Sequence, residues 1–136
     1  MCIRDRQTQN PSATHCWVAG FSFGSWIGMQ LMMRRPEIKG FISLSAPALT
    51  RDFAFLAPCP SSGLFIHGSD DEIVPSLALS RVLEKISIQK GAVIKDIIIQ
   101  GADHFFNDHN NEMIDAVGKY LDTRLDKDGN FISNNE

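Results

Sequence analysis

The stretch Gly20-Phe21-Ser22-Phe23-Gly24 decides how this sequence folds. It matches G-x-S-x-G, the pattern of a nucleophile elbow, in which a serine sits on a sharp turn between a strand and a helix. Five residues carry little weight alone, so the flanks matter. Upstream, His15-Cys16-Trp17-Val18-Ala19 is a short apolar run with the length and flanks of a buried strand. Downstream, residues 25–35 read as a helix, with Trp26, Ile27, Met29 and Leu31-Met32-Met33 apolar almost all round, as in a well-covered helix. Arg34 and Arg35 fill its last turn and Pro36 forbids continuation.

The turn has a chemical logic. A strained turn exposes the Ser22 hydroxyl, and glycines are expected on either side because side chains there would meet the neighbouring strand and helix. A helix that begins at the serine points its free N–H groups and positive dipole end at the reacting centre. The N–H of Phe23 is then the natural first oxyanion donor. Gly28, one turn past Gly24, would let the helix approach the sheet closely. The plain alternative is a Gly-rich turn with an incidental serine, and the strand before it and helix after it weigh against that.

Three further strands are expected. Residues 40–45 form a short apolar run stopped by Ala46-Pro47; residues 63–68, Gly-Leu-Phe-Ile-His-Gly, form the next; residues 93–100 carry Ile97-Ile98-Ile99 and read as apolar on both faces. Strands of that kind belong to parallel sheets covered by helices. Residues 50–62, with Pro58 and Pro60, are a loop. Pro75 opens a helix with Leu79, Val82, Leu83 and Ile86 on one face, and Met113, Val117, Tyr120 and Leu121 mark the face of another. The fold class is α/β: a parallel sheet of about four strands flanked by three helices.

Two loops after strands carry the remaining chemistry, at the strand ends where sites form in open α/β sheets. After the third strand, Asp70, Asp71 and Glu72 compete to orient a histidine. Asp70 could serve a turn, and Glu72 reads as a solvated charge near a helix start. His67 ends its strand and is expected to hydrogen-bond the loop. After the fourth strand comes Gly101-Ala102-Asp103-His104-Phe105-Phe106. An imidazole at His104 could take the serine proton and return it to a leaving group. Asp103 is expected to shape the loop. His15 precedes a strand, at the wrong end of the sheet, and His109 reads as a solvated cap. The chain order of serine, acid and histidine is that of the α/β hydrolases rather than of the other triad folds.

Composition narrows the classes further. A formal net charge of −3 gives no basic field for nucleic acid or anionic lipid. No apolar run approaches the roughly 18 residues of a membrane helix, and no secretory leader is visible. Cys2, Cys16 and Cys59 are odd in number and show no C-x-x-C pair, which argues for reduced thiols, a cytoplasmic setting and no zinc site. Cys16 reads as buried and inert. Neither a Walker A motif nor G-x-G-x-x-G occurs.

The chain resembles the small bacterial α/β hydrolases of the dienelactone-hydrolase and serine-aminopeptidase-like group, nearest to a compact lidless subgroup. The likeness rests on Gly20-Phe21-Ser22-Phe23-Gly24-Ser25-Trp26-Ile27-Gly28, Phe53-Ala54-Phe55-Leu56-Ala57-Pro58-Cys59-Pro60, His67-Gly68 with Asp71-Glu72-Ile73-Val74-Pro75, and Gly101-Ala102-Asp103-His104-Phe105-Phe106. In that family the acid stands four residues after the histidine of the His-Gly pair, which implies Asp71. The implied catalytic set is Ser22, Asp71 and His104, with Phe23 N–H in the oxyanion hole and no metal or organic cofactor. The implied activity is hydrolysis of an ester, thioester or amide of a small substrate through an acyl-enzyme. A non-catalytic binding or assembly module on the same fold is the alternative. The expected partner is a small-molecule acyl substrate; a homo-oligomer is left open, and the composition argues for neither nucleic acid nor membrane.

The family fold has eight strands, and its elbow follows the fifth. The expected organisation is therefore a non-native or disordered segment at 1–12, a partial α/β-hydrolase domain at 13–125 equivalent to the C-terminal half, and a disordered polar tail at 126–136. The first four strands and the loop that gives the second oxyanion N–H are expected to be missing. The chain alone is then expected to be inactive.

Overall fold

The computed structural model describes residues 16–48, 51, 61–87 and 93–125, with Gln9; at 76 and 85–87 only the backbone is described. Outside the described residues lie the expected N-terminal segment 1–12 (Gln9 apart), His15, Cys59, the 53–60 motif and the polar tail.

Four strands are present: β1 (Cys16–Phe21), β2 (Ile38–Leu44), β3 (Gly63–Gly68) and β4 (Ile94–Ile99). They pair in parallel in the order β1-β2-β3-β4. Three helices intervene or follow: α1 (Phe23–Arg34), α2 (Ser76–Ser87) and α3 (Asn110–Arg124). Alternation along the strands splits the core in two. Phe41 and Phe65 face Met29 and Met32 of α1 and Leu79 and Leu83 of α2. Leu64, Ile66 and Ile99 face Tyr120 of α3, with Met113 and Val117 packed alongside. The result is three layers, helices on both faces of a parallel sheet. Parallel strands run their carboxyl ends the same way, so the loops after β1, β3 and β4 share one edge of the sheet.

Several expectations need correction. Helix α1 starts at Phe23, two residues earlier than its apolar pattern suggested, because the chain turns into the helix directly from Ser22. Its apolar surface is not covered all round. Ser25, Gly28, Met29 and Met32 form a buried stripe at helical spacing, while Phe23, Ile27 and Met33 are exposed. Strand β1 runs on through Gly20 to Phe21, and β2 covers 38–44 rather than 40–45. Strand β4 is the sheet edge among the described residues; it touches α2 on one face and α3 on the other, yet Ile98 is 41% exposed, so its apolar run is not covered throughout. No helix among the described residues is long and apolar enough to cross a membrane.

Candidate active site

Ser22 has φ 53° and ψ −121°, a left-handed conformation that costs any side-chain-bearing residue and persists only when its surroundings enforce it. The enforcement is visible. The Ser22 N–H donates to Leu44 O on β2 at 2.8 Å, and the Ser25 N–H donates to Ser22 O at 2.9 Å. A Cβ on Gly20 would stand 2.5 Å from Gly24 O, so the strand can meet the helix only at glycine. Gly28 likewise admits Val18, whose Cγ2 would lie 3.2 Å from an added Cβ. Gly24 differs from expectation: a Cβ there meets nothing within 4 Å, so no packing requires it. Phe23 is the first residue of α1, and its N–H has no acceptor within the helix.

The Ser22 hydroxyl lies 2.8 Å from His104 Nε2. The other ring nitrogen, Nδ1, lies 2.7 Å from Asp71 Oδ2. A carboxylate only accepts, which puts the ring proton on Nδ1 and leaves Nε2 free to accept from the serine. The second oxygen, Asp71 Oδ1, accepts the N–H groups of Ile73 at 2.9 Å and Val74 at 2.7 Å. Asp71 and His104 are both buried, at 7% and 4% exposure. The competing acids stand apart. Asp70 is exposed and meets only the Ser69 hydroxyl, at 3.4 Å, and Glu72 is exposed.

The histidine loop is braced from within. Asp103 accepts from the N–H groups of Phe105 and Asn107 and from the Asn107 side-chain amide. Those bonds, the Asn107 N–H first and its amide second, hold the Asp103 carboxyl below its ordinary pKa. Asp103 thus shapes the loop, as its position suggested. Gly68 explains the His-Gly pair: a Cβ there would fall 2.1 Å from Ala102 O, so β3 and the histidine loop can touch only at glycine. His67 departs from expectation. Neither of its ring nitrogens has a hydrogen-bond partner among the described residues, and Nδ1 lies 3.3 Å from Asp96 Oδ1 on β4, on the same sheet face. His109 does occupy the N-cap of α3, without a side-chain capping bond; its ring nitrogen Nδ1 meets Asn107 O at 2.9 Å.

The mouth is apolar and aromatic. Phe21 lies 5.6 Å from the His104 ring and 5.8 Å from Phe105, and Phe105 stands edge-on to His104 at 5.1 Å. Phe21, Phe23, Ile73 and Phe105 are all exposed. On the far side of Ser22, the guanidinium of Arg51 caps the rings of Phe23 and Trp26 at 5.0 and 5.1 Å. A cleft of about 180 Å³ beside His104 is lined by Glu72, Ile73, Asp103 and Phe105. A larger cleft lies between α2 and β4 near Ser80 and Asp96, away from these groups. No cluster able to hold a metal ion occurs among the described residues. Sequence reading missed Ser45, which directly follows β2 and donates its hydroxyl to His104 O at 2.7 Å. Only the abrupt Ser-Ala-Pro stop after the strand hinted at a special conformation there.

No family model matches the chain. An uncharacterised protein of Rickettsia prowazekii is 44% identical over 121 residues, which is 86% of this chain and 51% of that relative. Among solved structures, a candidate alpha/beta hydrolase of unknown function from Agrobacterium tumefaciens superposes with a TM-score of 0.88 at 45% identity, over 97% of this chain and 60% of that one. A lidless serine hydrolase from Xanthomonas campestris gives 0.75 at 26% identity, over 88% and 51%. An alpha-beta serine hydrolase homologue from Coxiella burnetii gives 0.76 at 25%, over 88% and 55%. The chain thus spans between half and three-fifths of the length of these proteins.

Proposed function

The chain has the fold of the α/β hydrolases, and on that footing we propose that it carries the catalytic centre of a serine hydrolase transferring an acyl group to water. The observation that supports this most is the continuous hydrogen-bonded path from Ser22 Oγ through the His104 ring to Asp71.

Ser22 Oγ attacks the substrate carbonyl carbon as its proton passes to His104 Nε2. Asp71 holds Nδ1–H and stabilises the imidazolium that forms. The Phe23 N–H donates to the carbonyl oxygen as it gains charge. His104 then protonates the leaving group, and the C–O, C–S or C–N bond breaks to give an ester of Ser22. Water loses a proton to Nε2, attacks that ester and releases the acid, restoring Ser22. No step calls on a metal or organic cofactor. The exposed Phe21, Phe105 and Ile73 around the hydroxyl favour a small apolar acyl group. A reducing, cytoplasmic setting is part of the reading, on the unpaired spacing of the three cysteines.

The test is covalent labelling by an alkyl fluorophosphonate of the protein as its native host makes it. One adduct on Ser22, absent in Ser22→Ala, is expected. No adduct, or an adduct on another serine, would favour the non-catalytic binding module instead.

A further inference from the structure

We propose that Ser45 is a positioning residue that holds the nucleophile turn and the histidine loop in register; this rests on the serine-hydrolase reading above.

Strand β2 lies beside β1, and its last residue, Leu44, and the residue just after it reach in both directions. Leu44 O accepts the Ser22 N–H at 2.8 Å, which fixes the strained turn. The next residue, Ser45, donates its hydroxyl to His104 O at 2.7 Å and its N–H to Ile66 O at 2.8 Å. Leu44 through its carbonyl and Ser45 through its hydroxyl therefore tie Ser22, after β1, to His104, after β4, across the sheet. Those two residues are 82 positions apart, and their side chains must meet at 2.8 Å.

The conformation of Ser45 shows what the hydroxyl is for. Its φ is 51°, in the left-handed region that glycine occupies without strain. A serine there carries a backbone cost that glycine would avoid. What it gains is the bond to the His104 carbonyl. That bond is buried: Ser45 is 1% exposed, and no solvent could replace the donor. Losing it leaves a buried carbonyl unpaired in the loop that sets the height of the imidazole above Ser22. Proton transfer between Oγ and Nε2 depends steeply on that height.

Ser45→Gly and Ser45→Ala separate positioning from stability, because both remove the hydroxyl and only glycine relieves the strain. With p-nitrophenyl acetate, kcat should fall about 10-fold in both, from the loss of one buried hydrogen bond, with KM within about twofold. Ser45→Gly should nonetheless melt above Ser45→Ala. Rates that follow the melting order, or full kcat in Ser45→Gly, would overturn the proposal. Ser22→Ala run in parallel tests the other reading: if it leaves turnover intact, the hydrolase assignment fails rather than this one. A second readout does not need turnover. The His104 Nδ1–H proton signal, assigned by its loss in His104→Gln, should exchange with solvent faster in both Ser45 variants than in the wild type. Unchanged exchange would overturn the positioning role even if no ester is cleaved.

Discussion

His104 Nδ1 and Asp71 Oδ2 lie 2.7 Å apart, although the residues are 33 positions apart and come from loops after different strands. Asp70, next door in the chain, faces outward to the Ser69 hydroxyl. The difference is set by backbone N–H groups. Those of Ile73 and Val74 hold Asp71 Oδ1, which leaves Oδ2 aimed at the ring.

This geometry separates the two aspartates kinetically. In an active preparation, Ser22→Ala should lower ester hydrolysis by roughly 10⁴-fold or more, since the three groups act as a unit. Asp71→Asn should be similarly severe and Asp70→Asn nearly silent. Initial rates on p-nitrophenyl acetate decide it, and the reverse ranking of the aspartates would show that Asp71 is not the orienting acid.

The glycines of the elbow and of the His-Gly pair should behave unequally. Gly20→Ala and Gly68→Ala drive a methyl into backbone atoms of Gly24 and Ala102 and should destabilise the fold by about 1–3 kcal/mol or more, the usual cost of overpacking. Gly24→Ala meets open space at the start of a helix and should be neutral or slightly stabilising. Thermal melts of the three variants give the comparison. A Gly24→Ala loss as large as that of Gly20→Ala would contradict the packing described above.

Asp103 gives a pH dependence with a definite sign. Its carboxyl is held below the ordinary value, chiefly by the Asn107 N–H. The resulting stability is present above the unfolded pKa and is lost as pH falls through the lower folded value. Wild type should therefore outlast Asp103→Asn in melting temperature near neutrality, and the gap should close below about pH 4, the ordinary carboxylate range. A gap that stays constant from pH 7 to pH 3 would rule this out. Asp103 is partly exposed, so the effect should also shrink in high salt.

Cys16 should be a sluggish thiol. Burial, and then the negative charge of Glu37, push its pKa up and keep it protonated. Peptide-resolved mass spectrometry after iodoacetamide at pH 8 should show slower modification of Cys16 in the folded chain than in urea. Glu37→Gln should speed it modestly. Equal rates folded and unfolded would show that the thiol is freely accessible.

By itself the sequence determined the alternation of strands and helices, the elbow and the order of the three chemical groups. These are local or periodic properties. Apolar runs of strand length, Pro36 after a helix and Gly-x-Ser-x-Gly at a strand-to-helix junction act through neighbours in the chain. Even the choice of Asp71 came from a family resemblance, since Asp70, Asp71 and Glu72 cannot be separated by composition. The tertiary structure decided what depends on groups far apart in sequence. It turned one carboxylate inward through the N–H groups of Ile73 and Val74, and sent His67 to Asp96 instead of the loop. It left Ile98 exposed on the edge strand β4, and placed a strained Ser45 under the carbonyl of His104. The physical reason is the same in each case: a hydrogen bond or a buried face is fixed by which strands lie side by side, and sheet order has no signature in the residues of any one strand.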